Sequence, residues 1–445
     1  MAATAHPLTL PATPAARRAR LRSIIGSSAG NVIEWYDFLA YSIFSIYFSK
    51  AFFPGGNQTA QLLNAAAVAA IGYVVRPLGS WAIGALADRQ GRRVALSVSV
   101  AMMSVGSLII ALTPTYASIG VAAPAVLVCA RLLQGFSMGG EAGTSATYLS
   151  EMAPTGRRGF FVGFVQVTVV MGQLVALALM LILQRLVLTP TQLEQWGWRI
   201  PFAIGGALAV FALYLRRGIA ETDAFEREGG ANAGMRTQTE RGSLLVLLVQ
   251  HRRQTLWTIG ISVGGTVAFY TFTIYLQKFM VNTTGFSRDT ATLIALVIYM
   301  GFQPLFGLLS DLIGRRPVMM IFGVGGTFLT VPLMHALGAT HSALTAFALN
   351  LAALGILSGF SSIHWLVKSE LFPAKVRALG VGLPFAVVSS VMGGTTEYLA
   401  LRFKHAGHES WFFYYVSACA AVSLLTYVLM PETRHRSVID EEARQ

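Results

Sequence analysis

Apolar residues in this chain come in runs of about 20, separated by short polar breaks. The runs place helices near 23–48, 61–87, 94–114, 121–150, 160–185 and 200–216, and a second set near 254–279, 290–310, 318–337, 342–370, 378–402 and 410–430. A helix rises 1.5 Å per residue, so roughly 20 apolar residues span the hydrocarbon core of a bilayer. The pattern predicts an all-α membrane protein with twelve transmembrane helices. Only one polar break is long. Residues 217–250, rich in Glu, Arg, Gly and Thr, read as a linker with a short helix at 243–250. The expected organisation is a tail (1–22), a six-helix bundle (23–216), the linker (217–250), a second bundle (251–430) and a second tail (431–445).

Two of the polar breaks repeat. Gly84-Ala85-Leu86-Ala87-Asp88-Arg89-Gln90-Gly91-Arg92-Arg93 returns 223 residues later as Gly307-Leu308-Leu309-Ser310-Asp311-Leu312-Ile313-Gly314-Arg315-Arg316. Glu151-Met152-Ala153-Pro154 with Arg158 returns 219 residues later as Glu370-Leu371-Phe372-Pro373 with Arg377. Two separate repeats at nearly one offset indicate a duplicated half, as membrane carriers often show.

Composition supports the membrane reading. The 445 residues are 54% hydrophobic and 12% charged, about half the charge of a soluble domain. The net charge of +13 invites a nucleic-acid reading, but 23 of the 33 Lys and Arg fall in tails, linker and loops on one side of the expected topology. That asymmetry follows the positive-inside rule and puts both termini in the cytoplasm, with the bilayer rather than nucleic acid as the partner. The first twenty residues lack the apolar core of a secretory signal. Their Arg17, Arg18, Arg20 and Arg22 suit a cytoplasmic anchor, although an Arg-rich, acid-free start also resembles a transit peptide. Cys129 and Cys419 sit in apolar runs and offer no disulfide or metal framework. The short loops leave no room for a second domain.

Seven ionisable residues lie inside the spans: Glu34, Asp37, Arg76, Arg131, Glu141, Lys368 and Glu397. Each would cost about 2.5–3.5 kcal/mol facing lipid, or roughly 20 kcal/mol together, so they must face an interior. At 100° per residue, Asn31, Glu34, Asp37 and Tyr41 share a face of the first helix; Arg131, Gln134, Met138 and Glu141 share one of the fourth. Arg76 lies twelve residues before Asp88, about 18 Å deep and near the midplane. Asp37 and Arg131 fall at depths where they can meet. Lys368, two residues before Glu370, is expected at the inner vestibule. Structural readings stand beside these: a fixed Asp37–Arg131 ion pair, helix ties for Glu141 and Glu397, and a satisfied core histidine for His364. Arg76 calls for an anion.

The repeated G-x-L-x-D-x-x-G-R-R loops resemble the signature of the major facilitator superfamily, and Arg131-Leu132-Leu133-Gln134-Gly135 is similar to its fourth-helix motif, which implies a part in proton transfer. Glu34-Trp35-Tyr36-Asp37-Phe38, Gln134-Gly135-Phe136-Ser137-Met138-Gly139-Gly140-Glu141 and Trp196-Gly197-Trp198-Arg199-Ile200-Pro201-Phe202 resemble the metabolite:proton symporter branch. Within it, Arg76-Pro77, Gly143-Thr144-Ser145-Ala146-Thr147-Tyr148, Tyr270-Thr271-Phe272-Thr273 and Val376-Arg377-Ala378-Leu379 look most like the α-ketoglutarate permease group. Two departures stand out: Leu312 replaces a usual basic residue, and the bulky pair His364-Trp365 matches no motif.

The resemblance implies two six-helix bundles rocking about a central site, in a monomer of the bacterial inner membrane. The expected activity is proton-coupled uptake of 2-oxoglutarate or a related dicarboxylate, with the proton as coupling ion and no cofactor or metal. Citrate, shikimate and proline- or betaine-type osmolytes remain alternatives, as does a facilitator or exporter. A receptor would carry a large soluble extension, and an enzyme would need a nucleophile or His/Asp/Cys cluster at a helix end; neither is present in the sequence. For substrate, the expected residues are Arg76 at one carboxylate, Lys368 or His364 at the other, and Gln173, Tyr270 and Trp365 around them. For the proton, they are Asp37 with Arg131, Glu34 as alternate carrier, and Glu141. Asp88, Arg92, Glu151 and Arg158 are expected to form one gating cluster, and Asp311, Arg315, Glu370 and Arg377 the other.

Overall fold

A computed structural model describes residues 14–55, 58–216, 221–227, 241–279, 290–434 and 436–444. Its spans are α1 (Pro14–Phe52), α2 (Gln58–Gln90), α3 (Arg92–Leu112), α4 (Ala122–Met152), α5 (Arg158–Ile182) and α6 (Arg199–Arg216). The second set is α7 (Arg252–Tyr270, extended to Phe279 through a π turn), α8 (Thr290–Ile313), α9 (Arg315–Phe328, resumed at Thr330–Ala339 after a 56° bend) and α10 (Ala343–Ser361, resumed at His364–Glu370). It ends with α11 (Arg377–Val388, extended to His405 through a second π turn), α12 (Glu409–Leu429) and a short terminal α13 (Val438–Arg444). Among the described residues, nine helices are long and apolar enough to cross a membrane, eleven with two bent pairs counted as one each. The polar-centred α1 is the twelfth long helix.

Helix positions follow the hydrophobic pattern, with one extension at the start. α1 begins at Pro14, inside the segment expected to be tail, because Ala15 to Arg22 contains no helix breaker. Residues 1–13 and half of the expected linker (217–220 and 228–240) lie outside the described residues, as does the side chain of Glu397. The expected short helix is Leu244–Gln250, with Ser243 accepting from the Val246 amide at its start.

Glycine sets the closest helix contacts. A Cβ on Gly135 would strike the Gly72 carbonyl, and one on Gly139 the Arg76 carbonyl, so α2 and α4 meet backbone to backbone. Small residues at four-residue spacing serve this purpose where lipid supplies no hydrophobic drive. The halves meet through two equivalent pairs, α2 with α11 and α5 with α8. The repeated loop glycines lie there: Gly84 against the Leu379 backbone, Gly307 against that of Gly159. Gly91 and Gly314, at φ 105° and 109°, make the two turns that follow, a conformation that side chains with a Cβ resist.

Candidate functional site

Three interruptions in the helices open onto one chamber. The π turn of α7 follows Tyr270, the break in α10 separates Ser361 from His364, and the π turn of α11 begins at Ser389; all four residues line the cavity. Irregular backbone at membrane depth is tolerable where it borders a cavity. About 640 Å³ not filled by protein atoms lies along the chamber, open solvent included. Its walls also include Trp35, Arg76, Met138, Gln166, Thr266, Phe360, Trp365 and Phe385, and no acidic side chain.

Arg76 enters from α2 and is 4% exposed. One Nη donates to the Met138 sulfur at 3.0 Å, while Nε has no hydrogen-bond partner. Its guanidinium carbon sits 4.0 Å from the centre of the Tyr73 ring and 4.6 Å from that of Phe38. No ion pair with a carboxylate is formed among the described residues. On the facing half, the Lys368 ammonium lies 3.0 Å from His364 Nδ1. His364 stacks on Phe360 with centroids 4.2 Å apart, and Lys368 sits over the Phe385 ring at 4.4 Å and the Trp365 ring at 5.0 Å.

These placements correct two expectations. Lys368 is wholly buried against His364 rather than standing in a vestibule, because its ammonium packs over the Phe385 and Trp365 rings. Gln173 does not line the chamber; Gln166, two turns away on α5, does.

The second group of charges lies inside the first bundle, behind the chamber wall. Asp37 is fully buried, and Ser107 and Arg131 are the polar groups acting on its carboxylate. Gly205 of α6 packs so closely that a Cβ there would collide with it. The expected direct ion pair is absent: Arg131 donates to Gln134 at 2.8 Å, and Gln134 donates to Ser107 at 2.9 Å. The Arg131 guanidinium takes the rings of Tyr41 (4.3 Å) and Phe38 (4.7 Å) instead. Glu34 accepts from Ser137, itself bonded to Ser99 of α3. Glu141 is buried on α4.

At the end of the bundle that carries both repeated loops, the acids cross between halves. Asp88 accepts from the amides of Ala378 and Leu379, each at 3.0 Å, and so caps α11. Asp311 accepts from the amides of Gly159 (2.8 Å) and Phe160 (2.9 Å) and caps α5. Helix N-termini present unpaired donors and partial positive charge, so an aspartate fits both needs. Glu151 binds Arg92 at 3.1 Å and Arg377, from the other half, at 2.6 Å. Arg315 joins Asp311 at 2.6 Å and Glu370 at 3.4 Å.

The clusters are therefore not confined to their own halves. Arg377 leaves its expected group for Glu151, and Arg158 pairs with Asp440 of α13 at 2.6 Å. Sequence reading also missed two further acids. Glu221 accepts from the amides of Arg92 and Arg93, and Glu432 from those of Arg315 and Arg316, capping α3 and α9 alike. The available signal was a third repeat: Glu221-Thr222 recurs as Glu432-Thr433 after the sixth and twelfth spans.

Residues 23–443 match the family model described as "Sugar (and other) transporter". The chain belongs to the major facilitator superfamily. Within it, the chain lies in the metabolite:proton symporter branch and is a secondary transporter, not an enzyme. It is 47% identical over 416 residues to the α-ketoglutarate permease of Escherichia coli K12, covering 93% of this chain and 94% of the relative. It is 30% identical to the citrate-proton symporter of Klebsiella pneumoniae, covering 95% and 94%. Among solved structures, the proton:xylose symporter XylE bound to 6-bromo-6-deoxy-D-glucose superposes with a TM-score of 0.78 at 18% identity, covering 96% of this chain and 99% of that one. That likeness establishes the fold, an all-α multi-span membrane protein; the relatives make it a multi-pass protein of the kind found in bacterial inner membranes.

Proposed function

We propose that this transporter carries 2-oxoglutarate or a closely related dicarboxylate together with a proton. The observation that carries the reading is Arg76, a guanidinium in a chamber without acids, free of any carboxylate among the described residues. Its planar fork suits one carboxylate bidentately. His364 serves the other end. In this reading Lys368 donates to Nδ1, which leaves the Nε2–H as the donor for the second carboxylate. Tyr270, Trp365 and Gln166 shape the space between. The relatives named above support the substrate class.

Asp37 is the proton site in this reading, with Arg131 tuning its affinity and Glu34 as the alternate carrier. A buried carboxylate with no hydrogen bond to its oxygens is well placed to take up a proton, and a nearby cation opposes that. The end with the repeated loops faces the cytoplasm in this reading, so the described state is shut on that side. The chain works as a monomer and has no nucleic-acid partner.

Proteoliposome uptake of labelled 2-oxoglutarate tests both sites. Arg76→Ala should reduce uptake at least a hundredfold, while Asp37→Asn should keep substrate exchange and lose accumulation driven by a pH gradient. Uptake unchanged in Arg76→Ala would remove the substrate site; accumulation retained in Asp37→Asn would move the proton site.

A further inference from the structure

The two regions just described share one side chain. Phe38 follows Asp37 on α1, is 2% exposed, and touches one arginine from each region. The guanidinium carbons of Arg76 and Arg131 lie over its ring at 4.6 and 4.7 Å, and it is the one ring both arginines touch among the described residues. Tyr73 packs edge-on against it at 5.3 Å. Neither arginine has a carboxylate ligand among the described residues, so each relies on an aromatic face for part of its stabilisation.

We propose that Phe38 is the positioning residue that couples substrate binding at Arg76 to protonation of Asp37. This rests on the roles assigned above to those two residues. A carboxylate arriving at Arg76 neutralises that cation and competes with the ring for it. Arg131 then faces less repulsion from Arg76 and keeps the Phe38 face to itself. Its position relative to Asp37 follows the ring, because Phe38 and Asp37 are adjacent on one helix. Added negative charge in the chamber also offsets the positive field reaching Asp37, so anion and proton favour each other's binding. That is the reciprocal linkage symport requires. The other titratable groups around this centre are Glu34 and Tyr36 on α1 and the phenols of Tyr41, Tyr73 and Tyr270. Tyr73 is near both arginines, but of the two only Arg76 takes its ring face.

The test separates coupling from binding in the full-length protein. Labelled 2-oxoglutarate counterflow without a gradient reports binding and alternation; accumulation under an imposed proton gradient reports coupling. Phe38→Leu should keep counterflow within about twofold and lower accumulation about tenfold, inside the 5–150-fold range of coupled sites. Phe38→Tyr should restore it. Replacing Phe38 by difluoro- and then pentafluoro-phenylalanine keeps the shape and drains the ring face of negative charge, so accumulation should fall in steps. This series decides the matter even where the leucine variant fails to fold. The proposal is overturned if the ratio of accumulation to counterflow stays constant across the series, or if it falls only with leucine and not with fluorine. Should Arg76→Ala or Asp37→Asn behave as wild type, the site assignment itself fails, whatever the Phe38 series does.

Discussion

Glu151 and Glu370 occupy matching places in the duplicated halves, and their surroundings have diverged. Glu151 is clamped by Arg92 of its own half and Arg377 of the other, both wholly buried. Glu370 holds Arg315 at the longer distance of 3.4 Å and is shared with the hydroxyl of Thr433, while the equivalent of Arg377, Arg158, is drawn off to Asp440 on the terminal helix. Duplication supplied two copies of one lock, and the C-terminal segment reaches both, Glu442 to Arg377 and Asp440 to Arg158. Among the described residues only the first also bolts one bundle directly to the other by a buried ion pair. Force applied to the two sides of the same joint should therefore meet unequal resistance.

Three substitutions measure that inequality. Glu151→Gln removes the acid that Arg92 and Arg377 share, leaving Arg92 with Asp88 at 3.6 Å and Arg377 with Glu442. Breaking a buried pair costs about 3–5 kcal/mol, so the shut state should lose at least a hundredfold in population, read as longer spin-label distances across the loop-bearing end. Glu370→Gln removes a weaker contact and a hydroxyl bond, with an expected cost of about 1–3 kcal/mol and a five- to hundredfold shift in the same distances. Asp440→Asn touches a pair whose acid is 25% exposed; at about 0.2–1 kcal/mol it should shift the population less than fivefold and fade with added salt. Equal effects at Glu151 and Glu370 would restore the symmetric gate that the sequence suggests.

Much of this was legible in the residue order, and the reasons are physical. Bilayer thickness dictates span length, so the helices announce themselves. Repetition exposed the loop residues because both copies answer one problem, capping a helix from the opposite bundle. The misses have causes too. Gln173 and Gln166 are seven residues apart, almost one face of a helix, so periodicity identifies the face but not the depth of the chamber along it. Lys368 was placed by its distance from Glu370, and sequence distance gives depth but not whether a side chain stands free or packs against its neighbours, as this one does on His364. Asp37 and Arg131 lie at compatible depths, yet the rotamer that sends a guanidinium to Phe38 and Tyr41 rather than to the acid leaves no trace in a pattern of polar positions. Asp440 has no repeat partner to reveal it.

The crossed aspartates have a consequence for how the molecule opens. When the bundles part, the amides of Ala378, Leu379, Gly159 and Phe160 lose their acceptors together, and each must be answered at once by solvent. Separation of the halves is thus inseparable from wetting of two helix starts. A half-open crack too narrow to admit water would be the least stable arrangement of all, which makes the gate snap between two positions instead of sliding.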